Sequence, residues 1–196
     1  MAKTTLIIGI GSTGLNIIEE AQQYHYEFIG KNKPGKNVEY LYLETDISNK
    51  SKSTAGGKSM INPVFVDFTD IEVDIKQYRK KMGSKVEWIP PVEYLESGNI
   101  GAGGMPAFGR LAMWKKYNFD NLKSTILNKF SAINGDSNTL IYVVGTLTGG
   151  TGSGLSVDIA YLLQEILPQC ANNIQALFLL PDEASFSKNK SLHENT

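Results

Sequence analysis

The sequence predicts a single α/β domain over residues 1–196, with a mostly parallel sheet flanked by helices. Short apolar runs alternate along the chain with segments whose apolar residues recur at helical spacing. The chain is 41% hydrophobic, which is enough apolar material for one good core. We find no internal repeat or linker-like segment that would divide it. Such alternation is typical of parallel strands joined by helices.

Five apolar runs are the predicted strands, and they lie at residues 6–10, 38–44, 63–68, 140–144 and from about Asn173. Helical spacing or capping signals predict helices over 11–30, 71–83, 106–117 and 119–133, and another from Leu155 onward. Pro106 suits the first turn of its helix, where the missing N–H would have no partner anyway. Residues 45–59 are polar and rich in Gly and Ser, so we expect a loop there.

Composition excludes several classes of function. The net charge is −1, so no overall basic field points to nucleic acid or to an anionic membrane. Cys170 is the single cysteine, which excludes an internal disulfide and suits a reducing cytosol. No transmembrane-length apolar run and no signal peptide is evident. We therefore expect a soluble, cytoplasmic protein, and no cluster of residues predicts a metal site made by side chains alone.

Three glycine-rich segments follow or precede predicted elements in ways that suit phosphate binding. Residues 9–14, "GIGSTG", leave a strand and enter a helix, and residues 101–106 read "GAGGMP". Residues 146–154, "TLTGGTGSG", combine bare backbone with four hydroxyl side chains. Glycines let backbone N–H groups approach an anion, and a helix N-terminus adds partial positive charge. Each segment also has an interpretation without a ligand: a tight turn for residues 9–14, a flexible connection for 101–106 and a flexible hinge for 146–154.

The third segment resembles the signature loop of the tubulin family. In that loop a small residue precedes G-G-T-G-[SAT]-G, and here Thr148 replaces the usual Gly, Ser or Ala. The first segment resembles the FtsZ version of its loop, with Asn16 two residues after Gly14. Residues 101–112, "GAGGMPAFGRLA", are similar to the FtsZ loop that senses the terminal phosphate, and "ETD" at 44–46 follows the second strand where that family has an N-T-D-like loop.

The resemblance implies a Rossmann-like tubulin/FtsZ GTPase domain that binds GTP or GDP with Mg²⁺. It implies that Gly11, Ser12 and Thr13 approach the α- and β-phosphates, while residues 102–104 donate amides around the γ-phosphate. A branched side chain at Gly150 is expected to stand where a phosphate lies. The complete set that the resemblance places at the nucleotide is Gly11, Ser12, Thr13, Asn16, Asp46, Ala102, Gly103, Gly104, Thr148, Gly149, Gly150, Thr151, Gly152, Ser153, Glu183 and Asn195.

Within that set, Asp46 is expected near the phosphates or the magnesium, and Asn16 near the nucleoside. Asp182 or Glu183 is expected at the ribose, and Asn195 could read guanine. In tubulin-like proteins an acidic residue of the next subunit positions the attacking water. The resemblance therefore implies filaments with GTP hydrolysed at subunit interfaces, and a chain that is the N-terminal part of a longer protein. The catalytic residue itself is not assigned.

Two alternatives remain open from the sequence. A Rossmann-type dinucleotide protein would use Gly9–Gly14 for the pyrophosphate and Glu44 or Asp46 for a ribose hydroxyl. That interpretation leaves residues 101–104 and 149–154 unexplained. A tubulin-like scaffold or filament subunit with degenerate catalysis is the other alternative, because Thr148 and Glu44 depart from the family pattern.

Overall fold

The computed structural model describes residues 3–29, 37–46, 63–66, 71–83, 87–89 and 101–180. Its centre is a sheet of five strands in the order β3-β2-β1-β4-β5, and every pairing is parallel. The strands are β1 (Thr5–Ile10), β2 (Val38–Glu44), β3 (Pro63–Phe65), β4 (Leu140–Thr146) and β5 (Ile174–Leu179). The predicted α/β class, with a parallel sheet flanked by helices, is confirmed.

The described α-helices are α1 (Gly11–Ile29), α2 (Ile71–Met82), α3 (Pro106–Met113), α4 (Lys116–Ala132) and α5 (Gly150–Ile166). A 3₁₀ helix, Pro168–Asn173, leads from α5 into β5. In the part of the chain that the structure describes, no helix is both long enough and apolar enough to cross a membrane.

Each face of the sheet carries its own apolar cluster. On one face α1 packs on the strands, and the cluster is Leu15, Ile18, Tyr40, Tyr42 and Val144. The larger cluster, on the opposite face, joins alternate strand residues such as Leu6, Ile8 and Leu43 to side chains of α3, α4 and α5. Successive strand residues point to opposite faces, so strands buried on both sides need near-continuous apolar runs. Each fully buried Leu or Ile contributes about 1.5–3 kcal/mol to folding.

The strand register brings three strand ends to one edge. Ile10 of β1 pairs with Leu43 of β2, and Gly9 pairs with Val144 of β4. Strands β1, β2 and β4 therefore finish next to one another. Helix α1 starts directly after β1, and α5 starts four residues after β4. Their N-termini consequently lie at the edge where open α/β sheets bind ligands.

Two helix boundaries differ from the sequence prediction. Two helices are predicted over 106–117 and 119–133, and the break between them lies earlier than expected: α3 ends at Met113 and α4 begins at Lys116. Lys115 is extended between them, and the buried Asn118 side chain donates to the Ala112 carbonyl oxygen at 2.7 Å. Helix α5 begins at Gly150 rather than Leu155, so part of the third glycine segment is its first turn.

Helix α3 also carries a stacked cation. The Arg110 guanidinium lies 5.2 Å from the Trp88 ring centroid and 5.1 Å from that of Trp114. Its Nε atom donates to Asp158 Oδ2 of α5 at 3.1 Å. This arrangement fastens residues 87–89 and α5 to the outer side of α3.

Candidate functional site

One pocket of about 380 Å³ lies at the carboxyl edge of the sheet, a size within the range of small-molecule sites. The first turn of α1, the loop after β2, the Gly101–Gly104 segment and the start of α5 all contribute to it. Its lining residues are Ile10, Gly11, Ser12, Thr13, Glu44, Thr45, Asp46, Gly101, Ala102, Gly103, Gly104, Thr146, Gly149, Gly150, Thr151 and Gly152. The structure therefore brings all three glycine-rich segments to a single concave surface.

Two helix N-termini meet at this pocket. Gly11 is the first residue of α1, and its φ of +70° is a conformation that favours glycine. Gly149 precedes α5 in an extended conformation, and no side chain caps this helix. The first N–H groups of a helix have no partner within the helix, and the helix dipole adds partial positive charge there. Both helix starts are therefore suited to an anionic group.

A tight turn at residues 102–105 forms the third wall. Met105 N–H donates to the Ala102 carbonyl oxygen at 2.8 Å. Between them, Gly103 and Gly104 have φ values of +57° and +78°, as a type I′ turn requires. The Ala102 N–H donates to Thr45 Oγ1 at 3.2 Å, so the turn is bonded to the loop after β2. Donation by Ala102 to a phosphate would need this bond to be exchanged.

Helices α3 and α5 pack backbone to backbone beside the pocket. A Cβ atom built on Gly150 would lie 2.7 Å from Met105 N and 2.8 Å from the Ala102 Cβ. One built on Gly154 would lie 2.9 Å from the Gly109 Cα. A side chain at Gly150 would thus displace the 102–105 turn, which corrects the expectation that it would stand in the phosphate position. A Cβ on Gly149, in contrast, would meet no atom within 4 Å.

The floor of the pocket is acidic. Glu44 and Asp46 line it, and none of the described lining residues is Lys, Arg or His. Glu44 is only 2% exposed, and its Oε2 accepts from the Tyr42 hydroxyl at 2.6 Å. Burial, and then the hydrogen bond to Glu44, raise the pKa of the Tyr42 phenol well above its ordinary value. Tyr42 is therefore a neutral donor to a buried carboxylate.

The other Glu44 oxygen collects donors from two elements. Its Oε1 accepts from Thr45 N at 2.8 Å, from Asp46 N at 3.2 Å and from Thr151 Oγ1 at 3.3 Å. The hydroxyls of Thr45 and Thr151 are also hydrogen-bonded to each other. The loop after β2 is thus tied to the first turn of α5. Because these donors already surround the Glu44 carboxylate, it is poorly placed for the ribose contact that a dinucleotide would need.

Most of the residues that the sequence places at a nucleotide line this one pocket. Three that the structure describes do not: Asn16 is exposed on α1, Thr148 bonds to Thr146 Oγ1 at 2.8 Å, and Ser153 bonds to the Gly149 carbonyl oxygen. Glu183 and Asn195 lie outside the described residues. The nucleotide contacts assigned to all of these residues stay predictions.

Sequence reasoning gave no contact role to three further lining residues, Ile10, Thr45 and Gly101. A signal existed for Thr45, the middle residue of the "ETD" segment. Gly101 fits because a Cβ there would lie 3.0 Å from the Asp46 Cα. Its packing against the loop after β2 depends on a long-range approach that the sequence alone does not show.

The structure thus defines an α/β domain with a glycine-lined pocket at the carboxyl edge of its parallel sheet. A family model described as tubulin like matches residues 6–196. The chain therefore belongs to the tubulin-like family. A search of curated protein sequences gave no match.

Solved structures show the same fold. An FtsZ dimer from M. jannaschii, described as empty, is 17% identical, with a TM-score of 0.56 over 100% of this chain and 40% of the FtsZ chain. CetZ from Methanosaeta thermophila is 16% identical, with a TM-score of 0.56 over 100% of this chain and 44% of CetZ. The chain thus spans less than half the length of these structures.

Proposed function

We propose that this chain is the GTP-binding domain of a tubulin-like protein and that the pocket holds the phosphates of GTP or GDP. The observation that carries the proposal is the convergence of the α1 and α5 N-termini and the 102–105 turn on one pocket. Backbone N–H groups and hydroxyls line it, and these are the donors that a phosphate chain needs in the absence of a Walker-type lysine. Family membership supports guanine as the base.

A divalent cation fits the same site. The described lining residues include two carboxylates and no cationic side chain. A nucleoside triphosphate would therefore add negative charge to a surface that is already negative. We propose that Mg²⁺ binds with the nucleotide, with Asp46 the candidate among the lining residues to hold it directly or through water. Bound there, the cation would neutralise phosphate charge. The ribose and base contacts proposed for Glu183 and Asn195, and the nucleoside contact of Asn16, complete the assignment.

We further propose that the full protein self-associates and hydrolyses GTP at subunit interfaces. One structural relative is described as an FtsZ dimer, which supports self-association of this fold. The described residues include no group that we assign as the catalytic acid, so the hydrolytic step would be completed from outside them. We propose a cytoplasmic location. The alternative of a tubulin-like scaffold with degenerate catalysis differs from this proposal only in lacking GTP hydrolysis.

The phosphate proposal is tested by placing a negative charge at each helix start. Gly149→Asp puts a preferred N-cap residue at the start of α5, where the backbone is extended and a Cβ meets open space. Ser12→Asp puts an acid into the first turn of α1, which contains none. Each change favours its helix by about 0.3–1 kcal/mol, so the fold should survive while phosphate is repelled.

We expect calorimetry in magnesium buffer to show that the unaltered chain binds GTP in preference to ATP and NAD. A unit charge 4–8 Å from a phosphate costs about 2–4 kcal/mol at an effective dielectric constant of 20, so each variant should weaken GTP binding at least tenfold. Ser124→Asp, exposed on α4, is the charge-matched control and should bind normally. NAD binding that Ser12→Asp abolishes and Gly149→Asp leaves intact would establish the dinucleotide alternative. Failure of GTP to bind would refute the proposal.

The proposed hydrolysis has a separate test in the full-length protein. Activity that requires contact between subunits should rise more steeply than linearly with protein concentration. Turnover per subunit that stays constant on dilution would contradict assembly dependence, and GTP binding without turnover at any concentration would favour the scaffold.

A further inference from the structure

The buried carboxylate of Glu44 ends a chain of hydrogen bonds that crosses the pocket floor. Carboxylates only accept, and Thr151 Oγ1 lies 3.3 Å from Glu44 Oε1, so the Thr151 proton points at Glu44. A hydroxyl has one proton. The hydrogen bond between Thr151 and Thr45 must therefore use the Thr45 proton. The order of donation runs from Thr45 to Thr151 to Glu44.

The Thr45 oxygen also accepts from the Ala102 N–H at 3.2 Å, a bond whose direction is fixed because a backbone N–H only donates. The carboxylate sets the direction of the two hydroxyl bonds that continue from Thr45 through Thr151 to Glu44. A neutral group in its place could accept or donate, and the direction would then be undetermined. Hydrogen bonds to an ionised acceptor are also stronger than neutral ones.

Tyr42, on the same strand as Glu44, supports the Glu44 carboxylate at Oε2, whereas the two threonines bond to Oε1. Its hydroxyl donates to Glu44 Oε2 at 2.6 Å, and Thr45 N and Asp46 N occupy part of Oε1. These bonds hold the Glu44 side chain in one rotamer and satisfy a carboxylate that is only 2% exposed. A buried carboxylate of this kind is stable only while its donors remain in place. Its orientation is thus fixed by β2 and the two residues that follow it, independently of any ligand.

We propose that Glu44, supported by Tyr42, is a positioning residue that tethers the 102–105 turn to the start of α5 through the Thr45 and Thr151 hydroxyls. The tether holds the turn in place beside the pocket before a ligand arrives. Its consequence for nucleotides rests on the function proposed above: the tether engages the Ala102 N–H and thereby holds the Gly103–Gly104 part of the turn beside the pocket, where a γ-phosphate would lie, so loss of the tether lowers the preference for GTP over GDP.

The variants separate charge from shape. Glu44→Gln keeps the size of the side chain and removes its charge, while Thr45→Val keeps the branched shape and removes the hydroxyl in the middle of the chain. Thr45→Ser restores that hydroxyl and serves as the rescue. Glu39→Gln, on the same strand but bonded to Lys129 at 2.7 Å, is the matched control. Thermal melting establishes whether each variant is folded. If Glu44→Gln does not fold, the exchange and binding measurements on Thr45→Val test the proposal.

Amide hydrogen exchange of the ligand-free chain gives the first readout. We expect exchange in residues 101–105 to accelerate about tenfold in Glu44→Gln and Thr45→Val, as the loss of a charge-assisted bond implies. Thr45→Ser and Glu39→Gln should match the unaltered chain. Exchange in this segment that is the same in every folded variant overturns the proposal.

Calorimetry with GTP and GDP in magnesium buffer gives the second readout. The ratio of GTP to GDP affinity should fall about tenfold in Glu44→Gln and Thr45→Val and recover in Thr45→Ser. An unchanged ratio refutes the nucleotide consequence. If the unaltered chain binds no GTP, the function proposed above fails, while faster exchange in the two variants still establishes the tether.

Discussion

Alanine at Gly150 should destabilise the protein, whereas alanine at the adjacent Gly149 should change its stability little. A Cβ on Gly150 would lie 2.7 Å from Met105 N, 2.8 Å from the Ala102 Cβ and 3.0 Å from the Gly104 carbonyl carbon. Ordinary contacts of this kind are above 3.4 Å, so the 102–105 turn must move by about 0.5–1 Å. Overpacking of this size costs about 1–3 kcal/mol.

At Gly149 the same methyl group meets open space. The backbone there has φ −94° and ψ 155°, which any L-residue adopts without strain. Reduced freedom of the unfolded chain favours Ala by about 0.4–1 kcal/mol, and the poorer N-cap preference of Ala offsets much of that. We expect a net change within about 1 kcal/mol of zero.

Urea unfolding of the two alanine variants beside the unaltered chain measures this difference. For a chain of this size, 1–3 kcal/mol lowers the melting temperature by about 2–12 °C, which thermal scans resolve. A Gly150→Ala variant as stable as the unaltered chain would refute the close packing of α5 on the 102–105 turn. A Gly149→Ala variant as unstable as Gly150→Ala would show instead that the first turn of α5 tolerates no side chain at all.

Three further outcomes follow from contacts elsewhere in the chain. Arg110→Lys should lower the free energy of unfolding by about 0.5–1 kcal/mol, since an exposed ammonium stacks less well than a guanidinium, and an unchanged urea midpoint would contradict the stacking. Asn118→Ala should cost about 1–3 kcal/mol, because the Ala112 carbonyl oxygen loses a buried donor, and a cost below about 0.5 kcal/mol would refute that role. Burial, and then the Asp136 charge, raise the pKa of the Cys170 thiol. Above about pH 8.5 the unfolded chain therefore loses a proton that the folded chain keeps, so stability falls as pH rises, and Cys170→Ala should flatten that slope above about pH 8.5.

The sheet could be predicted because strands buried on both faces consist of apolar runs. Residues 6–10 and 140–144 are such runs, and residues 40–43 are the apolar centre of the third predicted strand; the structure places β1, β4 and β2 on them. The position of the break between α3 and α4, at residues 114–115 rather than 118, was not predictable in the same way. No Gly or Pro marks the break, and its position depends on Asn118 reaching back to the Ala112 carbonyl oxygen. That bond exists only after α4 has packed.

The start of α5 shows tertiary packing overriding local preference. Glycine is a poor helix former, so residues 150–154 favoured a loop. The absence of side chains at Gly150 and Gly154 is what allows α5 to approach the 102–105 turn and Gly109, and the helix extends through this segment. The glycine-rich walls of the pocket were visible in the sequence. The Glu44 network was not, because it requires the end of β2 to lie beside α5.

The Arg110 stack gives the protein a native optical signal. Trp88 and Trp114 are the two tryptophans of the whole chain, and both are 36% exposed against the same guanidinium. Helix α3, which carries that guanidinium, begins one residue after the turn that walls the pocket. Any displacement of the turn that is passed along this short helix changes the surroundings of both indole rings at once. Intrinsic emission and its quenching by acrylamide can therefore follow events in the pocket without a label.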